Sequence, residues 1–177
     1  YLNFAVLMPE KIWFETARST LDYVLRELKA PDPGGFYSAQ DSDSFDKNLG
    51  QATEGAFYVW KDEEVQKALT KKEYPIFKDY YNVTEEGNCN LAKSEEEKEY
   101  LTNCLVIQQK LEDLAKTHGM EEAELKKLLG NCREKLYKRR NKRTKPTVDQ
   151  KMVCGYNGLA ISAFAEASRV LFYEPNK

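Results

Sequence analysis

No apolar run in this sequence approaches the roughly 18 residues that a membrane span requires, so no membrane association is expected and the chain reads as soluble. An excess of charge of one sign is also missing, since 27 basic residues stand against 29 acidic ones. With no net field to attract a polyanion, nucleic-acid binding is not expected. Cysteine is scarce and scattered: Cys89, Cys104, Cys132 and Cys154, with no C-x-x-C pair. A zinc centre or a dithiol motif needs closely spaced pairs, so no metal or cofactor is expected. Buried free thiols are the simpler reading. The apolar opening, Tyr1-Leu2-Asn3-Phe4-Ala5-Val6-Leu7-Met8, has no initiator methionine, basic leader or small-residue cleavage site. That argues against a signal peptide and suggests an internal piece of a larger protein. Compartment stays open. The sequon Asn82-Val83-Thr84 matters only in the secretory pathway, and a cytoplasmic location is favoured over a secreted one.

What is present predicts a mainly helical, folded chain. The apolar share is 41%, with eleven Tyr, eight Phe and two Trp, far from the composition of a disordered chain. Phe14, Ala17, Leu21, Val24, Leu25 and Leu28 recur at three- and four-residue steps, which predicts a helix over 11–28. Pro9 precedes it, and Pro31, Pro33, Gly34 and Gly35 end it. Tyr1–Met8 reads as the tail of a preceding helix. The aromatic runs Gly35-Phe36-Tyr37-Ser38-Ala39 and Ala56-Phe57-Tyr58-Val59-Trp60 favour strands. They predict a β-hairpin over 34–60 with a long polar loop. Further helices are expected from the acidic turn Asp62-Glu63-Glu64 to Leu69, over Pro75–Tyr81, up to Gly119, and over Glu121–Arg140. The polar stretch 82–103 reads as an irregular loop. The last helix, from Asn157 to about Tyr173, is apolar on much of its surface and predicts burial on more than one side. The basic stretch Lys135–Lys145 reads as a helix end with favourable cations followed by a solvated loop.

Four segments, in order, resemble one family. They are Gly34-Gly35-Phe36-Tyr37-Ser38-Ala39-Gln40-Asp41-Ser42-Asp43-Ser44, Glu54-Gly55-Ala56-Phe57-Tyr58-Val59-Trp60, and Tyr81-Asn82-Val83-Thr84-Glu85-Glu86-Gly87-Asn88. The fourth is Lys145-Pro146-Thr147-Val148-Asp149-Gln150-Lys151, continuing to Tyr156-Asn157-Gly158-Leu159. Together they resemble the spermatogenesis-associated protein 20 family over almost the whole chain. The resemblance implies a thioredoxin-like domain, absent from this chain, followed by an α/α toroid of the six-hairpin glycosidase kind, shared with N-acylglucosamine 2-epimerase. Residues 1–177 would then be a partial α/α toroid carrying a short β-hairpin insertion. Its partners would be the missing domain and the missing toroid helices, and exposed apolar faces would favour self-association.

Toroids of this kind place their site on loops at one rim, which makes the 34–60 loop and the Asp149 segment candidates. Carboxylates gathered there, Asp41, Asp43, Glu54 and Asp149, could bind sugar hydroxyls or work as an acid–base pair. Tyr37, Tyr58 and Trp60 offer flat faces to a sugar, Lys151 a neutralising cation and Asn157 an orienting amide. A small carbohydrate is the expected ligand, with an epimerase- or glycosidase-like activity if there is catalysis. The competing reading is structural: loop Asp and Ser residues make turns, and Asn157 caps a helix. Family members carry Glu, His and Trp where this chain has Gln40, Thr147 and Tyr156. Gln40 cannot ionise and Thr147 cannot act as a neutral-pH base, so no catalytic residue is assigned. The alternative function is a non-catalytic scaffold.

Overall fold

The structure, a computed structural model, describes residues 1–31, 34–47, 49–90 and 101–173. Helix dominates the described residues. In chain order the helices are α1 (Leu2–Leu7), α2 (Lys11–Tyr23), α3 (Asp62–Ala68), α4 (Glu73–Tyr81), α5 (Leu111–His118), α6 (Glu122–Arg140) and α7 (Cys154–Val170). The strands are β1 (Ala39–Gln40), β2 (Asp43–Asp46), β3 (Gln51–Glu54), β4 (Cys89–Asn90), β5 (Leu101–Thr102) and β6 (Val148–Asp149). They pair as three two-stranded sheets, β1 with β6, β2 with β3 and β4 with β5. The chain divides into two compact units, 1–41 with 147–177, and 42–146.

In the first unit, the apolar stripe of 11–28 does form one helical run. Its last five residues, Val24–Leu28, widen into a π turn. A small core joins Ala5, Phe14 and Val170, flanked by Leu2, Trp13 and Leu171, and Trp13 lies against the rings of Tyr1 and Phe4. Helix α7 begins three residues before the predicted Asn157 and is covered on one side only. Ala167 and Val170 are buried, whereas Leu159 and Ile161 are 71% and 68% exposed. Such a face lowers its free energy by finding an apolar partner.

The second unit holds the larger core. Phe77, Leu114, Leu125, Val65 and Val83 are fully buried, and Trp60, Leu129, Cys132 and Leu136 complete the same cluster. The α6 stripe read from the sequence supplies Leu125, Leu129, Cys132 and Leu136. A charged tie spans this core. Lys135 on α6 donates to both oxygens of Glu73 on α4, at 2.6 and 2.7 Å. The Lys135 bond, and behind it the Thr70 backbone, hold the Glu73 carboxyl below its ordinary value of 4.5. An acid with a depressed folded-state pKa stabilises fully above its ordinary value, and the contribution vanishes as pH falls through the lowered one. Acidification from pH 5 to pH 3 should therefore lower the melting temperature of Glu73→Gln less than that of the wild type. Parallel thermal melts across that range check this, and equal slopes would remove the pair from the account.

The hairpin predicted over 34–60 is not formed as such. The first aromatic run does not pair with the second. Phe36 bridges back to Lys29, and Ala39 and Gln40 pair with Asp149 and Val148. A shorter hairpin, β2–β3, sits inside the expected loop, with Asp43 opposite Glu54 and Asp46 opposite Gln51. Residues 55–58 of the second run turn, and Trp60 bridges to Asn103. Aromatic runs satisfy strand propensity with any partner edge, so propensity alone could not choose between a local and a distant one. Of the polar stretch 82–103, residues 91–100 lie outside the described residues. Its two ends are not irregular, because Cys89 and Asn90 pair with Thr102 and Leu101.

Candidate functional site

In the first unit, two of the sequence motifs meet across more than a hundred residues of chain. The β1–β6 ladder sets Asp41 beside Thr147: Asp41 N–H donates to the Thr147 carbonyl at 2.8 Å, and Thr147 Oγ1 reaches Asp41 Oδ2 at 3.4 Å. Gln40 accepts from the Tyr23 hydroxyl at 2.9 Å. Tyr37 donates its N–H to the Leu28 carbonyl at 2.8 Å and is half-buried. Asn157 does not cap α7. Its Oδ1 accepts the Phe36 N–H at 2.7 Å, and its Nδ2 donates to the Phe36 carbonyl at 3.0 Å. The side-chain amide thus replaces a strand neighbour for one peptide unit. Gly35 makes this approach possible: its φ is +113°, and a Cβ there would stand 3.1 Å from Asn157 Oδ1. Stacking of Phe36 on Phe164, 5.4 Å between centroids, seals the joint. Asp149 is spoken for as well. Lys151 donates to it from backbone N–H and from Nζ, at 3.1 and 3.2 Å, and the backbone bond is the main cause of its lowered carboxyl pKa.

Of the carboxylates expected to gather, Asp41 and Asp149 belong to this unit and Asp43 and Glu54 to the other. Asp43 and Glu54 are direct cross-strand partners, an arrangement in which like charges repel. Trp60 is a correction to the predicted ligand platform. It is 2% exposed, and the Arg143 guanidinium stands 4.1 Å from its ring centroid. Tyr58 is 40% exposed. His118 is tied to Asp79 at 3.0 Å.

The second unit contains a cleft of about 400 Å³. Its apolar lining is Phe45, Ala56, Phe57 and Val59, and its rim carries Lys47, Lys61, Arg139, Lys142 and Arg143 against Asp46 and Glu64. Arg143 is the hub. Its Nη1 donates to the carbonyls of Phe57 and Val59 at 3.0 and 2.6 Å and more weakly to Ala56, and its Nη2 pairs with Glu64 at 3.0 Å. Glu64 also accepts the Lys61 N–H at 3.0 Å, closing the first turn of α3. Arg140 lies over the Phe57, Tyr58 and Tyr137 rings at 5.2 to 5.6 Å. The basic stretch is thus not only a solvated helix end. Two of its cations are built onto the aromatic run, and Arg139 and Lys142 open on the cleft. The signal available in sequence was the coexistence of an aromatic run and a basic one, with nothing to say that they meet.

Asn103 is the polar residue that the sequence reading missed. Fully buried, it accepts the Thr84 N–H at 2.8 Å and donates to the Thr84 and Trp60 carbonyls at 3.0 and 3.3 Å. It joins the motif ending at Trp60 to the motif containing Thr84.

No protein-family model matches the chain. Among curated proteins it is similar to spermatogenesis-associated protein 20 of Homo sapiens and of Mus musculus, each 32% identical over 174 residues, 93% of this chain. An uncharacterized protein of Caenorhabditis elegans is 36% identical over 143 residues, 76% of this chain and 19% of that protein. The chain spans 22% of the length of the two mammalian relatives.

Proposed function

We propose that this chain, which belongs to the spermatogenesis-associated protein 20 family, binds a small anionic carbohydrate in the cleft of its 42–146 unit and performs no chemistry on it. The observation that carries this reading is the lining of that cleft. Its volume of about 400 Å³ lies in the range of small-molecule sites, where an apolar floor and a few polar groups fix one ligand. Phe45, 49% exposed, offers a flat face to a sugar's C–H surface. Lys47, Arg139 and Lys142 would then engage a carboxylate or phosphate carried by that sugar. Against catalysis stands the state of the carboxylates. Asp46, buried at the cleft, accepts the Leu49 N–H at 3.3 Å. At the cleft itself, Glu64 is committed to Arg143.

Calorimetric titration with a hexose, a hexose 6-phosphate, a hexuronic acid and inorganic phosphate tests the reading. The anionic sugars are expected to bind roughly tenfold or more tightly than the neutral hexose, the effect of one good charge-assisted contact. The Arg139→Ala, Lys142→Ala double variant should lose that preference. Silence with all four ligands would sink the proposal, and binding of phosphate as tight as that of any sugar would remove the carbohydrate from it.

A second reading, a non-catalytic scaffold, is favoured by one feature. Asn157 and Asn103 spend their polar groups on the backbone of distant segments, and Asp149 spends its own on Lys151. We also propose that the helices belong to an α/α toroid, a reading supported by the packing of consecutive helices, α1 on α2 and α5 on α6.

A further inference from the structure

Two of the four cysteines scattered along the sequence come together at the smallest sheet of the second unit. Strand β4 pairs with β5 so that Cys89 lies opposite Thr102. Cys104 follows two residues beyond that partner, the spacing that returns a side chain to the same face. The Asn88 side chain holds it there, donating to the Cys104 carbonyl at 2.9 Å and accepting the Cys104 N–H at 2.8 Å. On the other side, Thr102 Oγ1 donates to the Cys89 carbonyl at 2.8 Å. Gly87, with φ +76°, lets the chain pass so close that a Cβ would meet Thr102 N at 2.7 Å. Both thiols are free and half-buried. Burial, and then a hydrogen bond to Cys89, push the Cys104 thiol up to about 11, so the two thiols are neighbours on this face of the sheet.

We propose that Cys89 and Cys104 are a reversible dithiol–disulfide pair, closed by exchange with a small-molecule disulfide, that covalently locks β4 to the chain just past β5. The Cys89 thiolate attacks one sulfur of the external disulfide, forming a mixed disulfide and expelling one thiolate. The Cys104 thiolate then attacks Cys89 Sγ, breaks that bond and expels the second thiolate. The two protons lost by the protein thiols are taken up by the two leaving thiolates. The protein gives up two electrons, and the external disulfide becomes two thiols. Cross-strand neighbours on a diagonal stand roughly 7–8 Å apart, slightly more than a disulfide spans without backbone movement. Closure therefore draws in the chain just past β5, where Cys104 is held by the Asn88 side chain rather than by a ladder bond. The remaining thiols are differently placed: Cys132 is fully buried, its thiol pushed up to about 11 mainly by burial, and Cys154 is exposed in the other unit.

The test is incubation of the chain with glutathione disulfide, an alkylating quench, and peptide mapping by mass spectrometry. The expected product is a Cys89–Cys104 linked peptide with the loss of two hydrogens, reversed by dithiothreitol. It should persist in the Cys132→Ser, Cys154→Ser double variant and disappear in Cys104→Ser. Melting curves should show a higher midpoint for the oxidised than for the reduced protein, while reduced Cys104→Ser melts as a folded protein. Full alkylation of both cysteines after oxidation, or glutathione adducts without an internal bridge, would overturn the proposal. An unchanged midpoint with the bridge formed would overturn the locking.

Discussion

Replacing Asn103 with alanine is expected to lower the stability of the 42–146 unit by about 2–4 kcal/mol. The side chain is fully buried, so water cannot take over its bonds. Its removal orphans the Thr84 N–H and leaves the Thr84 carbonyl with only the longer bond from the Gly87 N–H at 3.3 Å, and a backbone group left without a partner away from water costs about 1–3 kcal/mol. The Trp60 carbonyl suffers less, because it keeps the Asn103 N–H at 2.7 Å. A small cavity adds to the loss. Asn103→Asp separates the contributions: it keeps an acceptor for Thr84 N–H but has no amide donor, and it brings a charge into a dry site. Aspartate should therefore rescue nothing. Urea unfolding followed by Trp60 fluorescence, in a Trp13→Phe background, reads the effect. A loss below about 1 kcal/mol would mean that Asn103 is not the tie the geometry makes it.

The second large effect is expected at Arg143. Arg143→Ala removes the donors of the Phe57 and Val59 carbonyls, the partner of Glu64 and the cation over Trp60 in one step. Because the side chain lines an open cleft and keeps 21% of its exposure, water can reach part of what is uncovered. The expected cost is about 2–4 kcal/mol, below that of a fully buried ion pair. Arg143→Lys should recover less than half, since an ammonium cannot serve carbonyls and carboxylate in one plane while also stacking on an indole. The same urea series, read for all three proteins, checks the order wild type, then lysine, then alanine. Lysine equal to arginine would show that charge alone matters.

The helices were legible because their information is local. The stripe Leu125, Leu129, Cys132, Leu136 repeats with the helical period, and Gly119 stops α5 in the left-handed conformation that glycine favours. The site was legible only as a list of residues. Asp41, Asp149 and Asn157 stood out as members of ordered motifs, but a side chain's work depends on its neighbour. Asn157 could be read as a cap, a ligand group or a strand surrogate until Phe36 was seen across from it. Trp60 could be a sugar platform or a core residue, and Arg143 decided for the core.

The amino-acid order by itself determined a helical chain with balanced charge and four motifs of one family. Those follow from periodicity, composition and motif order, none of which needs distant contacts. Tertiary structure alone decided that the first motif pairs with the fourth, that Asn103 joins the second to the third, that Arg143 is built onto the second, and that Cys104 lies diagonally across from Cys89. The reason is physical. Strand edges, guanidinium groups and thiols are satisfied by any partner of suitable chemistry, so which partner they meet is fixed by packing over the whole chain.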